Sequence, residues 1–193
     1  AEIVLHNTDR IDQFEDKAGF RPWKEDTKSF MPSNADAIPA EDVIDLTSKM
    51  KADGSLDWTP PFGGQGDWMI IRFGYSLTGR QNHPASPEAT GLEVDKLDKD
   101  AVRKYINTYL DMYKDATGGM MGNKGLQYMI LDSYEAGHMT WTKAFPEDFA
   151  KRRGYDIKTW IPVLTGRIVK SAEASEKFLW DFRKTIGELI AEN

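Results

Sequence analysis

Leu126-Gln127-Tyr128-Met129-Ile130-Leu131-Asp132-Ser133-Tyr134-Glu135 is the stretch on which the reading of this chain turns. Its first six residues are nearly continuous apolar sequence, too short for a helix, and read as a buried strand. The run then delivers two carboxylates, a tyrosine and, at position 138, a histidine. Upstream, Trp68-Met69-Ile70-Ile71-Arg72-Phe73 has the same character and predicts another buried strand. Glu2 to Leu5 reads as a third, short one. Between the two longer runs lie a polar loop, Gly74 to Asp95, and a helix predicted over 99–116. The apolar positions 102, 105, 106, 109, 110 and 113 share one face of that helix. Asp98 is its N-cap, Leu97 and Val102 have staple spacing, and Gly118-Gly119 end it. Downstream, helices are predicted over 146–153, 157–164 and 172–191.

Strand, loop, helix, strand, loop, helices is βα repetition, and βα repetition implies a parallel sheet. The expected fold class is therefore α/β, a partial (β/α)8 TIM-type barrel with helices outside and its active site at the C-terminal strand ends. A whole barrel takes about 250 residues and eight strands. Residues 1–193 thus read as one domain, a fragment of a barrel, with an irregular proline- and glycine-rich excursion over 22–66 that holds one helix near 40–51.

Composition narrows the function. The net charge of −6 opposes nucleic acid as the main partner. No apolar run is long enough to span a bilayer, so no membrane partner is expected. With no cysteine, disulfides, thiolate catalysis and a cysteine zinc site are excluded. There is no phosphate-binding glycine loop and no G-x-S-x-G elbow. Six tryptophans suit stacking on sugar C–H faces, although rings of this kind more often fill a core.

Four groups of residues carry candidate chemistry. Glu135 at a strand tip, with Asp132 beside it, suits the acid of a glycosidase, which needs two carboxylates across the scissile bond. The same two residues equally suit loop capping, or pairing with Arg152 or Arg153. Arg72, inside an apolar run, needs a partner that Glu93 or Asp95 could supply, either in a sugar pocket or in a structural ion pair. Trp141 and His138 follow Glu135, and Trp141 reads equally as a sugar platform or a core-facing residue. Asn7, Asp9, Asp12, Glu15 and Asp16 are dense in oxygen donors, but they lack the EF-hand pattern and read as a charged loop. Asp181 and Arg183 are too close in sequence to share a helix face, which predicts separate neighbours for them.

Six segments, in order, resemble one family. They are Asn7-Thr8-Asp9-Arg10-Ile11-Asp12, Arg72-Phe73-Gly74-Tyr75, Gly91-Leu92-Glu93-Val94-Asp95-Lys96, Asp132-Ser133-Tyr134-Glu135-Ala136-Gly137, Arg152-Arg153-Gly154-Tyr155-Asp156 and Phe178-Leu179-Trp180-Asp181-Phe182-Arg183. Together they are similar to the catalytic domain of glycoside hydrolase family 106, the bacterial α-L-rhamnosidases. The resemblance implies a barrel within a larger, periplasmic or secreted enzyme that removes terminal α-L-rhamnose from plant polysaccharides with inversion. It implies Glu135 as one of the catalytic pair, the acid, with Glu93, Asp95, Asp132 and Trp141 lining the pocket. Arg72 and His138 join them as candidate sugar contacts. No cofactor is required, and a calcium near the sugar is compatible with the family. The expected partner is a rhamnose-containing glycan. The isolated chain is expected to be inactive and to self-associate over its open strand edges. Two alternatives accompany this reading, a non-catalytic carbohydrate-binding domain and a barrel glycosidase of other sugar specificity.

Overall fold

The fold is that of a computed structural model, which describes residues 10–21, 32–61, 67–131, 135 and 137–193. Among these residues, four α-helices carry the regular structure: α1 (Phe14–Lys17), α2 (Lys99–Ala116), α3 (Phe145–Arg153) and α4 (Ala172–Glu192). The chain divides into two compact units. One comprises Ala1–Tyr75 with Pro146–Lys184, the other Ser76–Phe145 with Thr185–Asn193.

The expectation of parallel strands is overturned. Among the described residues there is no β-ladder, only isolated bridges, two of them parallel (Ile38 with Val169, Met121 with Leu126) and two antiparallel (Met50 with Leu56, Gln81 with Leu92). The runs at 68–73 and 126–131 carry no regular secondary structure. Most of their side chains are open to solvent, with Met69 65% and Ile130 89% exposed, while Trp68, Ile71 and Leu126 are half-buried. A partial TIM-type barrel is therefore not what these residues build. The reason is physical: an apolar run states that a segment gains by burial, but a strand exists only where a neighbour supplies its hydrogen bonds. The short strand expected at residues 2–5 lies outside the described residues.

The helices follow the sequence closely. The Asp98 carboxylate accepts the N–H groups of Asp100 (2.9 Å) and Ala101 (3.2 Å), satisfying two donors that the first turn of α2 leaves open. Leu97 before it is buried. At the far end Gly119 donates to the Lys114 carbonyl at 2.7 Å and closes the helix. Replacing Asp98 by Ala is expected to cost ~1 kcal/mol, read in urea unfolding; an unchanged midpoint would mean that the cap is redundant. The helix expected near 40–51 is instead two single 3-10 turns, Ala40–Asp42 and Thr47–Lys49. The piece expected over 157–164 is a 3-10 helix, Lys158–Thr165.

The first unit has an aromatic core. Phe178 on α4 lies 5.8 Å from Phe149 on α3, 6.1 Å from Trp160 and 6.1 Å from Phe182, ring centre to ring centre. Tyr155 meets Phe149 edge-on at 5.1 Å, and Phe20 meets Phe182 at 5.9 Å. On α4 the buried positions 178, 182, 185 and 189 recur every three or four residues and form one stripe. Ser175 Oγ accepts Val169 N–H (2.9 Å) and donates to Val169 C=O (3.0 Å), which satisfies a fully buried hydroxyl on both sides. Asp181 accepts Tyr155 Oη–H (2.9 Å) and Lys177 Nζ (2.7 Å), while the Arg183 stem covers Gly19. Burial, then the hydrogen bond to Asp181 and the charge of that carboxylate, push the Tyr155 hydroxyl well above its ordinary range.

Candidate active site

The second unit assembles its polar residues through a loop pairing. Glu93 N–H donates to Arg80 C=O (2.9 Å) and Asn82 N–H to Gly91 C=O (3.0 Å), around the bridge of Gln81 with Leu92. Asn82 Oδ1 also accepts Gly91 N–H at 2.7 Å. This sets Arg80 and Glu93 side by side in the backbone.

Glu93 is mostly buried, and its Oε1 accepts Lys96 Nζ (2.8 Å) and Val94 N–H (2.9 Å). Burial alone would raise its carboxyl. The Lys96 hydrogen bond, the Val94 N–H and the charges of Lys96 and His83 outweigh burial and hold it below the usual carboxylate range. Glu93 is thus built to stay an anion and an acceptor. Asp95 has a local task, its Oδ1 accepting Leu97 N–H at 3.0 Å just ahead of α2.

Glu135 is exposed, as is His138. Asp132, together with Ser133, Tyr134 and Ala136, lies outside the described residues. Gly137 adopts φ +76, and a Cβ built there would stand 3.2 Å from Arg80 Nε. A left-handed residue with a guanidinium against it is a place for glycine. Arg80 therefore lies across the backbone two residues beyond Glu135. Nothing in the sequence marks Arg80 among the polar residues of its loop; only the pairing of 80–82 with 91–93 brings it here. Met139 is buried and its Sδ accepts Lys96 N–H at 3.4 Å. That contact joins the segment after Glu135 to the Glu93–Lys96 turn. Trp141 is half-buried with its ring 5.2 Å from Phe145, tilted by 37°.

Arg72 belongs to the first unit. It is exposed, and its guanidinium donates to the Gly54 carbonyl. Glu93 and Asp95 belong to the second unit and have the partners just named. Asn7 and Asp9 lie outside the described residues. Glu15 pairs with Arg21, and Lys17 with Glu176. Among the described residues no three acidic or imidazole groups converge as a metal site, and no helix is long and apolar enough to cross a membrane.

The profile of the α-L-rhamnosidase family Glyco_hydro_106 matches residues 1–193, the whole chain. The chain belongs to this glycoside hydrolase family. A solved structure, the rhamnosidase from Novosphingobium sp. PP1Y, superposes with a TM-score of 0.80 at 41% identity over 97% of this chain. A curated protein of Formosa agariphila (strain DSM 15362 / KCTC 12365 / LMG 23005 / KMM 3901 / M-2Alg 35-1), described as "Putative beta-glucuronidase", is 40% identical over 87% of this chain. The present chain spans 18% of the rhamnosidase chain and 14% of the Formosa protein.

Proposed function

We propose that this chain is part of the catalytic region of an inverting α-L-rhamnosidase that acts, outside the cytoplasm, on terminal α-L-rhamnosides of plant polysaccharides. The whole-chain family match carries this reading. Glu135 is the general acid, protonating the leaving oxygen from an open, solvent-facing position. Glu93, kept ionised by Lys96, is a hydroxyl acceptor and the fallback for the base. Asp95, Asp132, Trp141 and His138 complete the sugar contacts. Arg80, absent from the sequence-based set, holds a positive charge next to the Glu135 loop.

Inversion requires a second carboxylate ~6.5–9.5 Å from the acid, and in this reading the rest of the full-length protein supplies it. In this reading no cofactor is required, and a calcium near the sugar is compatible with it. The deciding experiment compares aryl α-L-rhamnoside hydrolysis by the full-length parent with that of its Glu135→Gln variant. A second reading, another sugar specificity, is favoured by the name of the Formosa relative. Preferential hydrolysis of an aryl β-glucuronide by the same parent would establish it.

Two outcomes follow for the 193-residue chain alone. It is expected to show no turnover of an aryl rhamnoside, and measurable turnover would overturn the assignment of the second carboxylate to another part of the protein. It is also expected to self-associate. Tyr105, Tyr109 and Met112 of α2 are 50%, 51% and 60% exposed, and Tyr128 and Leu131 are 84% and 73% exposed. So much apolar surface favours burial against another copy. Sedimentation at micromolar concentration should give a dimer or larger species, and a monomer would refute this.

A further inference from the structure

The first unit holds a cavity of ≈ 600 Å³, within the usual span for a small-molecule site. Trp58 and Trp68 line it, edge to face with ring centres 5.8 Å apart and both half-buried. Of the cations on its wall, Lys158 is neutralised by Asp45 at 2.8 Å and Arg72 is turned to the Gly54 carbonyl. Arg167 has neither arrangement. It donates to the Thr165 hydroxyl (2.6 Å) and to the Met69 sulfur, and among the described residues no carboxylate meets it.

A second arginine, Arg10, packs next to this segment. The Ile11 N–H bond to Gly166 C=O (2.8 Å) ties the two chain segments together. A Cβ on Gly166 would lie 3.3 Å from Arg10 Cδ and 2.7 Å from Phe14 Cδ1, so the Arg10 stem lies across the residue before Arg167. Arg10 Nε is buried and makes no hydrogen bond among the described residues. Burial, then the Arg10 charge, lowers the Arg167 pKa, and among the described residues no carboxylate offsets the two like charges. A half-buried cation pair without an acid is costly in the empty state and is relieved by a bound anion. Guanidinium forks match carboxylates in two-point geometry, and aromatic walls match sugar C–H faces.

We propose that Arg10 and Arg167 form a carboxylate-binding site at the edge of the Trp58–Trp68 cavity, which takes a uronic acid sugar. The site lies within the first unit and uses none of the residues assigned to hydrolysis. It would let the protein hold an acidic sugar without cleaving it.

Calorimetric titration of the full-length parent with D-glucuronate, D-glucose and acetate tests this, with Arg167→Gln and Arg167→Lys alongside and circular dichroism as the folding check. Glucuronate should bind at least about tenfold more tightly than glucose or acetate, and Arg167→Gln should weaken it by about tenfold or more, the usual loss for a charged hydrogen bond. If Arg167→Gln does not fold, Arg167→Lys keeps the charge but not the fork and should still weaken glucuronate binding. The proposal is overturned if glucuronate does not bind or if neither folded Arg167 variant alters its affinity. It is also overturned if acetate matches glucuronate, which would leave a simple anion site, or if glucose does, which would leave the arginines without a role.

Discussion

Glu135→Gln in the full-length parent is expected to lower aryl α-L-rhamnoside turnover on the order of 10²–10⁴-fold, the range a positioned general acid contributes. Glutamine keeps the size and polarity of the side chain and removes only the proton it would donate. Glu135 is exposed, so the substitution should leave the melting temperature unchanged and the loss can be read as chemistry. The leaving group gives an independent check. An acid matters most when the departing alcohol is poor, so the variant should lose less on an activated nitrophenyl rhamnoside than on an alkyl rhamnoside. An equal loss on both would point to binding instead of proton transfer. Undiminished activity would make Glu135 a surface residue and move the search for the acid to Glu93.

Phe178→Ala is expected to destabilise the 193-residue chain by about 3–5 kcal/mol, the usual cost of truncating a buried phenylalanine. Phe178 is 1% exposed and is shared among Phe149, Trp160 and Phe182, which come from α3, the 3-10 helix Lys158–Thr165 and α4. Its removal leaves a hole that three separate elements must collapse to fill. Leu92→Ala, at a position 59% exposed, serves as the comparison and should stay within about 0.5 kcal/mol. Urea unfolding of both variants reads the difference. A cost below about 1 kcal/mol for Phe178→Ala would show that the aromatic cluster is not the stabilising centre of its unit.

The helices were legible because their signals are local. A cap such as Asp98 acts on N–H groups two and three residues away, and the stripe along α4 repeats within one segment. The segments at 68–73 and 126–131 show where local signals end. Their apolar character is plain in the sequence, but pairing is not, since a strand's partners come from distant parts of a chain. The candidate site divides in the same way. Glu93 stands out as a carboxylate near the end of a loop, yet its anionic state comes from Lys96, three residues on, and from the Val94 N–H, which together outweigh burial. Arg80 had no mark at all.

Collinear segments spread along the chain are enough to reveal the family, and periodicity and flanking stop signals are enough for α2, α3 and α4. Which groups meet is settled by the fold: Arg80 across Gly137, Asp181 with Tyr155, and Arg10 against Gly166. Those encounters join residues 26 to 156 positions apart. They depend on how backbone segments pair and on where a glycine leaves room, and short-range sequence pattern carries neither.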